Sequence, residues 1–207
     1  MQATIAERPK SLALAVVDPD LPLVDATRNG DVSAFEELVK RYDRRLYRIA
    51  EGITHSDEDA EEVVQMAFLK AYQNLNRFQG SAKFSTWLIR IAINESFMKL
   101  RKRQAAEKFI DYAVEREGEA FLVDVADWRP SPETLFSASE FREILINSLQ
   151  KLTPALRAVF VLRDMEEYSL SETAELLKIT STTVRTRLSR ARLKLREELS
   201  KYFKKPE

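Results

Sequence analysis

A basic helix near the C-terminus carries side chains that could bind nucleic acid bases. No acidic residue occurs between Lys178 and Arg196. At 100° per residue, an apolar face lies opposite a hydroxyl face that has arginines at its edges. The apolar residues are Val184, Leu188, Ala191 and Leu195, the hydroxyl residues are Thr182, Thr186 and Ser189, and the edge arginines are Arg185 and Arg190. Hydroxyl and guanidinium groups match the donors and acceptors of base edges. Arg187, Arg192 and Lys194 lie nearer the rim, where phosphates would be reached.

A shorter helix precedes this basic helix. Ser169 and Glu172 have the spacing of a capping box, which predicts a helix over 170–177. About four residues then precede a helix predicted over 181–202, and two helices joined so closely form a helix-turn-helix. Lys178 in the turn would be strained if a left-handed backbone were required there. The alternative is an ordinary amphipathic helix with a solvated basic face.

A second candidate nucleic acid surface lies on a helix predicted over 85–103. That helix is apolar on two sides, so we expect it to lie sandwiched within its domain. One stripe carries aromatic, cationic and amide groups, and a loop over 78–84 precedes it. The stripe consists of Trp87, Arg90, Asn94 and Arg101. Such side chains bind unstacked bases by stacking and edge hydrogen bonds. A core tryptophan beside surface arginines would look similar.

The helix predicted to begin near Ser56 has a candidate docking face. Carboxylates fill its first turn, where they complement the positive end of the helix dipole. Opposite its apolar stripe lie Glu62, Gln65, Met66 and Leu69. Exposure of Met66 and Leu69 beside polar neighbours would indicate a protein-docking surface. Packing on another helix of the same domain is the alternative.

The composition indicates an all-α globular chain and excludes several chemistries. Of 207 residues, 44% are hydrophobic and 32% charged, with only four glycines and seven prolines. The absence of cysteine and the single histidine, His55, exclude thiolate metal sites and histidine clusters and make a serine–histidine triad improbable. We expect His55 to be a solvated loop residue, and we expect no cofactor and no metal. No apolar run suits a membrane span or a signal peptide, so we expect a cytoplasmic protein without membrane insertion.

The balanced total of 33 basic and 33 acidic residues conceals a segregated pattern. Residues 81–104 contain six basic residues and one acidic residue. Residues 178–205 contain ten basic and two acidic residues. Residues 105–140 between them contain three basic and nine acidic residues. Clustered positive charge is typical of polyanion binding, because phosphate contacts release condensed counterions.

The segments divide into two small helical domains joined by a flexible acidic linker. Prolines without periodic structure predict a flexible extension over 1–24. The first domain is predicted over 25–104, with a helix capped by Ser33 and Glu36 and ended by Gly52. The linker is predicted over 105–131. The second domain, over 132–207, has helices predicted over 132–149, 154–165, 170–177 and 181–202.

Two ordered sets of motifs resemble bacterial RNA polymerase sigma factors. The runs 59–68 (DAEEVVQMAF) and 84–94 (FSTWLIRIAIN) resemble conserved region 2. The runs 152–160 (LTPALRAVF), 168–174 (YSLSETA) and 183–192 (TVRTRLSRAR) resemble region 4. Because no region 3 lies between them, the chain resembles the extracytoplasmic-function (ECF) subfamily of sigma factors. The resemblance covers about residues 25–198.

The resemblance implies a transcription initiation factor rather than an enzyme, with no small-molecule substrate. The partners implied are core RNA polymerase, promoter DNA and a separate anti-sigma factor. Docking on the clamp helices of the largest polymerase subunit would use Glu62, Gln65, Met66 and Leu69. A flipped minus-ten base would be read at Asn94, with Lys83, Phe84, Ser85, Trp87, Arg90 and Arg101 on the same surface. The minus-thirty-five element would be read by Thr182, Arg185, Thr186, Arg187, Ser189, Arg190 and Arg192. The acidic linker would follow the RNA exit path.

Two rival functions are open on the residues alone. A stand-alone helix-turn-helix regulator would bind duplex promoter DNA without polymerase. An all-α nucleotide pyrophosphohydrolase would hold Mg²⁺ through carboxylates. Its ligands would come from Glu58, Glu61, Glu62, Asp124 and Asp127.

Overall fold

The computed structural model describes residues 18–107 and 138–203, and within these residues the chain is helical with no strand. The elements are α1 (Leu21–Arg28), α2 (Val32–Thr54), α3 (Asp57–Gln73), a short 3₁₀ turn (Leu75–Arg77), α4 (Phe84–Glu107), α5 (Ala138–Gln150), α6 (Pro154–Phe160), a π-helical turn (Val161–Met165), α7 (Leu170–Leu177) and α8 (Ser181–Phe203). The all-α prediction is confirmed. The predicted linker lies mostly outside the described residues, and α4 includes its first three residues.

Helices α1 to α4 form the first half around a common core. Long apolar side chains on α2 and α4, including Leu38, Leu46 and Leu88, are fully buried between them. The prediction of an extension over 1–24 is wrong from residue 18 onward, because α1 begins at Leu21 and Val24 is fully buried. Proline at the start of α1 begins a helix there rather than preventing one.

Two predicted boundaries of α2 are also corrected. The side chain of Asp31, not Ser33, caps α2 by accepting hydrogen bonds from the backbone N–H groups of Ser33 and Ala34. Gly52 does not end the helix, which continues to Thr54. His55 then ends it in a left-handed conformation, with φ of 54°.

Helices α5 to α8 form the second half, in which the helix-turn-helix is confirmed. The capping box of Ser169 and Glu172 begins α7. Val184, Leu188, Ala191 and Leu195 on α8 are buried, as their spacing predicts. Lys178 adopts the left-handed conformation, with φ of 54°. The predicted helix over 132–149 is described from Ala138 onward, and its first six residues lie outside the described part of the chain.

The two halves pack against each other. Helix α2 contacts α6 and the π-helical turn, and α4 contacts α7. Ala158, Leu162 and Leu176 of the second half are buried in the core cluster of the first half. The prediction of two small helical domains is confirmed. Their packing against each other, which we call the closed arrangement, is not predicted by the sequence. Local periodicity shows which face of a helix is apolar, but not whether that face covers its own domain or another.

Candidate nucleic acid interface

The loop before α4 is anchored at both ends by buried aromatic rings. Phe78 and Phe84 are 5% and 0% exposed, and their ring centroids lie 5.8 Å apart. Trp87 packs on both rings, with its ring centroid 5.3 Å from that of Phe78 and 5.9 Å from that of Phe84. The prediction that Phe84 contacts minus-ten DNA is wrong in this structure, because its ring fills the core. Lys83 at the end of the loop is exposed.

The remaining residues of the predicted minus-ten surface lie along α4 and differ in accessibility. Asn94 and Arg101 are exposed. Ser85 and Trp87 are half-buried. The amide of Asn94 is therefore accessible to a base even though the halves are packed together. Trp87 presents only part of its ring.

Arg90, predicted to contact DNA, is bound to the second half. Its Nε and Nη2 atoms donate to the backbone carbonyl of Glu175 at 3.1 and 2.8 Å, and Nη2 also contacts the Glu175 carboxylate at 3.1 Å. Glu175 lies in the last turn of α7, where carbonyl groups attract cations. Arg90 would have to leave α7 before contacting DNA.

The basic face of α8 lies on the outer side of the second half. Thr182 and Arg185 are exposed, whereas Thr186, Arg187, Ser189 and Arg190 are half-buried. Arg192 forms a bidentate ion pair with Asp164 of the π-helical turn, at 2.8 and 2.7 Å. A phosphate contact by Arg192 would compete with this pair. The side chains best placed for base edges are therefore at the start of α8.

The predicted docking face on α3 is exposed in the closed arrangement. Met66 and Leu69 are 41% and 49% exposed, and Glu62 and Gln65 are also exposed. Glu62 accepts a hydrogen bond from Lys99 of α4, and this bond raises the lysine pKa. The alternative that Met66 and Leu69 pack on another helix of the same domain is therefore wrong for the described residues.

The sequence reasoning missed a buried polar group at the N-terminal end of the described chain. Asp18 and Asp20 are 6% and 1% exposed. Asp20 accepts hydrogen bonds from the hydroxyl of Tyr42 and, at 2.5 Å, from Arg41. Burial raises the pKa of Tyr42, and the bond to Asp20 raises it further. The run Asp18-Pro19-Asp20 before Pro22 is a helix-start signal that could have located this group.

Arg157 of α6, also missed, lies buried at the junction of the halves. Its guanidinium donates to four backbone carbonyls, three at the C-terminal ends of α2 and α5 and one in the turn after α5. The acceptors are Leu149 at 3.0 Å, Gln150 at 3.1 Å, Leu152 at 3.0 Å and, across the junction, Ile53 at 2.8 Å. Helix C-termini carry partial negative charge, so this site is favourable for a cation. Burial nevertheless lowers the arginine pKa to about 10, with a smaller contribution from Arg103.

His55 borders the same junction and is not the solvated loop residue that we expected. Its Nε2 atom is buried with no hydrogen-bond partner among the described residues. Burial is the main cause that lowers its pKa from 6.5 to about 4. The charges of Arg157 and Arg103 lower the pKa further, and a hydrogen bond with the backbone of Leu149 opposes them. The neutral imidazole is therefore the form compatible with the closed arrangement.

Acidification should weaken the closed arrangement through His55. Above pH 6.5 the ring is neutral whether the halves are packed or apart, so closure has no cost from this group. As the pH falls from 6.5 toward 4, the open arrangement binds a proton that the closed one excludes, and closure loses stability. At pH 5 we expect a loss of about 1 kcal/mol, discounted because the ring is partly solvated.

Fluorescence energy transfer between dyes on the two halves would measure this effect. The chain lacks cysteine, so Gln73→Cys and Glu197→Cys, both at exposed positions, give specific labels. The matched control is His55→Asn, because asparagine tolerates the left-handed backbone and does not titrate in this range. An identical pH response in the control would contradict the role of His55.

Comparison with known proteins shows the family. The Sigma-70 region 2 model matches residues 38–106, and the Sigma-70 region 4 model matches residues 142–195. The chain is 32% identical over 177 residues to the ECF RNA polymerase sigma factor SigW of Bacillus subtilis, covering 85% of this chain and 94% of SigW. It is 33% identical over 178 residues to the ECF RNA polymerase sigma-E factor of Escherichia coli, covering 84% of this chain and 90% of the sigma-E factor.

Solved structures agree with this relationship. CnrH, in a complex with the cytosolic domain of CnrY, superposes with a TM-score of 0.63 at 26% identity, covering 87% of this chain and 97% of that one. The sigma factor RpoE of Bartonella quintana, solved in complex with the anti-sigma factor NepR, shares the fold. Its TM-score is 0.59 at 21% identity, and the match covers 82% of this chain and 98% of RpoE.

The fold and both motif sets define a sigma factor, and the chain belongs to the ECF family of RNA polymerase sigma factors. It is a transcription initiation factor rather than an enzyme. The stand-alone regulator is not favoured. For the rival Mg²⁺ site, the described residues contain no group of three or more potential metal ligands, and Asp124 and Asp127 lie outside them. Among the described helices, none has the length and apolar character required to cross a bilayer.

Proposed function

We propose that the two halves read two promoter elements on behalf of RNA polymerase. The first half captures an unstacked minus-ten base with Asn94, assisted by Lys83, Trp87 and Arg101. The second half reads duplex minus-thirty-five DNA through the start of α8. One observation carries this proposal: Asn94 and Arg185 are exposed on helices whose apolar faces are buried.

The docking face on α3 is proposed to bind the clamp helices of the largest polymerase subunit. Its exposed methionine and leucine are each more than two-fifths accessible, and both lie beside Glu62 and Gln65. Exposed apolar side chains with a polar rim are typical of a protein interface. This face is accessible in the closed arrangement, so docking on polymerase can precede any separation of the halves.

We further propose that the halves separate when the promoter is bound. The two elements lie roughly 25 base pairs apart, about 85 Å at 3.4 Å per base pair. A compact chain of this size is only about 40 Å across. The closed arrangement therefore cannot reach both elements at once. Separation would also release Arg90 from Glu175 and make its guanidinium available to DNA.

A regulatory protein partner is also proposed. The sigma factor of Bartonella quintana was solved in complex with an anti-sigma factor, and an analogous protein would control the present chain. The cytoplasm, where polymerase and promoter DNA meet, is the proposed location.

Transcription in vitro with core polymerase tests the minus-ten assignment. Asn94→Ala should lower initiation at least about fivefold, because a lost base contact costs about 1–3 kcal/mol. The matched control is Gln150→Ala, which removes an exposed amide from α5 and should leave initiation unchanged. Equal initiation by wild type and Asn94→Ala would contradict the assignment. Tight duplex binding by the chain without core enzyme would instead support a stand-alone regulator.

A further inference from the structure

The N-terminal segment 18–28 contacts both ends of the loop that precedes α4. At the loop's end, the Asp18 carboxylate accepts a hydrogen bond from the backbone N–H of Phe84 at 2.6 Å. At its start, the Arg28 guanidinium donates to the backbone carbonyls of Phe78 and, at 3.2 and 3.0 Å, Leu75. These bonds join residues that are 47 to 66 positions apart in sequence.

The Asp18 contact satisfies a backbone group that its own helix leaves unpaired. Phe84 is the first residue of α4, and the first N–H groups of a helix have no partner within that helix. A carboxylate placed there also complements the positive end of the helix dipole. Asp18 therefore caps α4 from a distant segment, and its second oxygen accepts from the backbone N–H of Asp20 at 3.1 Å.

Packing alone does not position the loop between these two anchors. Gln79, Gly80, Ser81 and Lys83 are exposed. A cleft of about 690 Å³ separates the loop from α1 and is lined by Leu21, Asp25, Arg28, Phe78 and Gly80, among others. The polar links at its ends therefore act together with the buried rings of Phe78 and Phe84 to fix the position of the loop. Arg28 also lies over the Phe78 ring, at 5.9 Å from its centroid.

We propose that Asp18 and Arg28 are positioning residues that set the base preference of the loop and of Asn94. This inference rests on the proposed minus-ten function of α4. Neither side chain needs to touch DNA. Together they hold the loop and the first turn of α4 in one relative position, and the pocket for an unstacked base depends on that position.

The test compares base discrimination by holoenzymes reconstituted with each variant. The probes are single-stranded oligonucleotides carrying a minus-ten element selected from a random pool by wild-type holoenzyme, with the flipped position changed to each of the four bases. Asp18→Ala and Arg28→Gln should each lower the affinity ratio of preferred to other bases about fivefold, the effect of losing one or two hydrogen bonds. Affinity for a duplex minus-thirty-five fragment should not change.

The affinity ratio separates positioning from general damage, because a smaller folded fraction lowers all four affinities equally. Asp43→Ala is the matched control, because it removes an exposed carboxylate from α2 that does not line the cleft beside the loop, and it should leave the ratio unchanged. Should Asp18→Ala fail to fold, Arg28→Gln still tests the inference. An unchanged ratio in a folded Asp18 or Arg28 variant, with discrimination lost in Asn94→Ala, would overturn the inference and leave the proposed function intact. Discrimination retained in Asn94→Ala would instead contradict the proposed function.

Discussion

Replacing Arg157 with methionine should lower the free energy of unfolding by about 3–5 kcal/mol, the usual cost of removing one partner from a buried charged network. Methionine keeps the unbranched stem but removes every donor. Four carbonyls would then lack the guanidinium: three at helix ends, including that of Ile53, and that of Leu152 in the turn after α5. Each buried polar group left unpaired costs about 1–3 kcal/mol, and partial hydration reduces the total.

Denaturant-induced unfolding, followed by circular dichroism, measures this loss. The matched control is Arg48→Met, because Arg48 also joins the halves, through a bidentate pair with Glu166 at 2.7 and 3.0 Å. The Arg48 side chain is 56% exposed, and Arg45 remains 3.8 Å from the buried Glu166 carboxylate, so replacing Arg48 should cost less than replacing Arg157. Similar losses of unfolding free energy in both variants would show that any charged contact across the junction matters equally. They would contradict a special role for the carbonyls bound by Arg157.

Arg157 also illustrates which features could not be predicted from the sequence. Arginine is almost never fully buried without a partner, so an arginine on an amphipathic helix reads as a surface residue. Its partners are backbone carbonyls, which carry no sequence signal. They come from α2 and from the end of α5 and the turn that follows it, so only the tertiary arrangement reveals the site.

Features that depend on local periodicity were predicted well. The spacing of Val184, Leu188 and Ala191 identified the buried face of α8, and the capping box identified the start of α7. The assignment of Phe84 to the DNA surface is wrong because the sequence around a phenylalanine does not show whether its ring stacks on a base or packs in the core. The exposure of Asn94 agrees with the predicted stripe, whereas its role in reading a base stays a prediction.

Replacing Gly52 with alanine should stabilise helix α2 and still destabilise the closed arrangement. Alanine in a helix interior is favoured over glycine by about 1 kcal/mol. At position 52, however, the added Cβ atom would lie 2.8 Å from Cγ2 and 3.0 Å from Cγ1 of Val161. Because Val161 begins the π-helical turn of the second half, that half must move away. Overpacking of this kind costs about 1–3 kcal/mol, so we expect the ratio of closed to open chains to fall about tenfold.

Energy transfer between labels on the two halves would report the opening, and Val161→Ala provides the control. The double variant Gly52→Ala with Val161→Ala removes the clashing methyl groups and should restore most of the closed population. If promoter binding requires the open arrangement, the apparent affinity of the wild type is reduced because only its open fraction can bind. A variant that is already open avoids this reduction. Gly52→Ala should then bind a promoter fragment more tightly as holoenzyme than the wild type does. Weaker promoter binding by a folded, open Gly52→Ala variant would mean that the packed halves are themselves the binding-competent form.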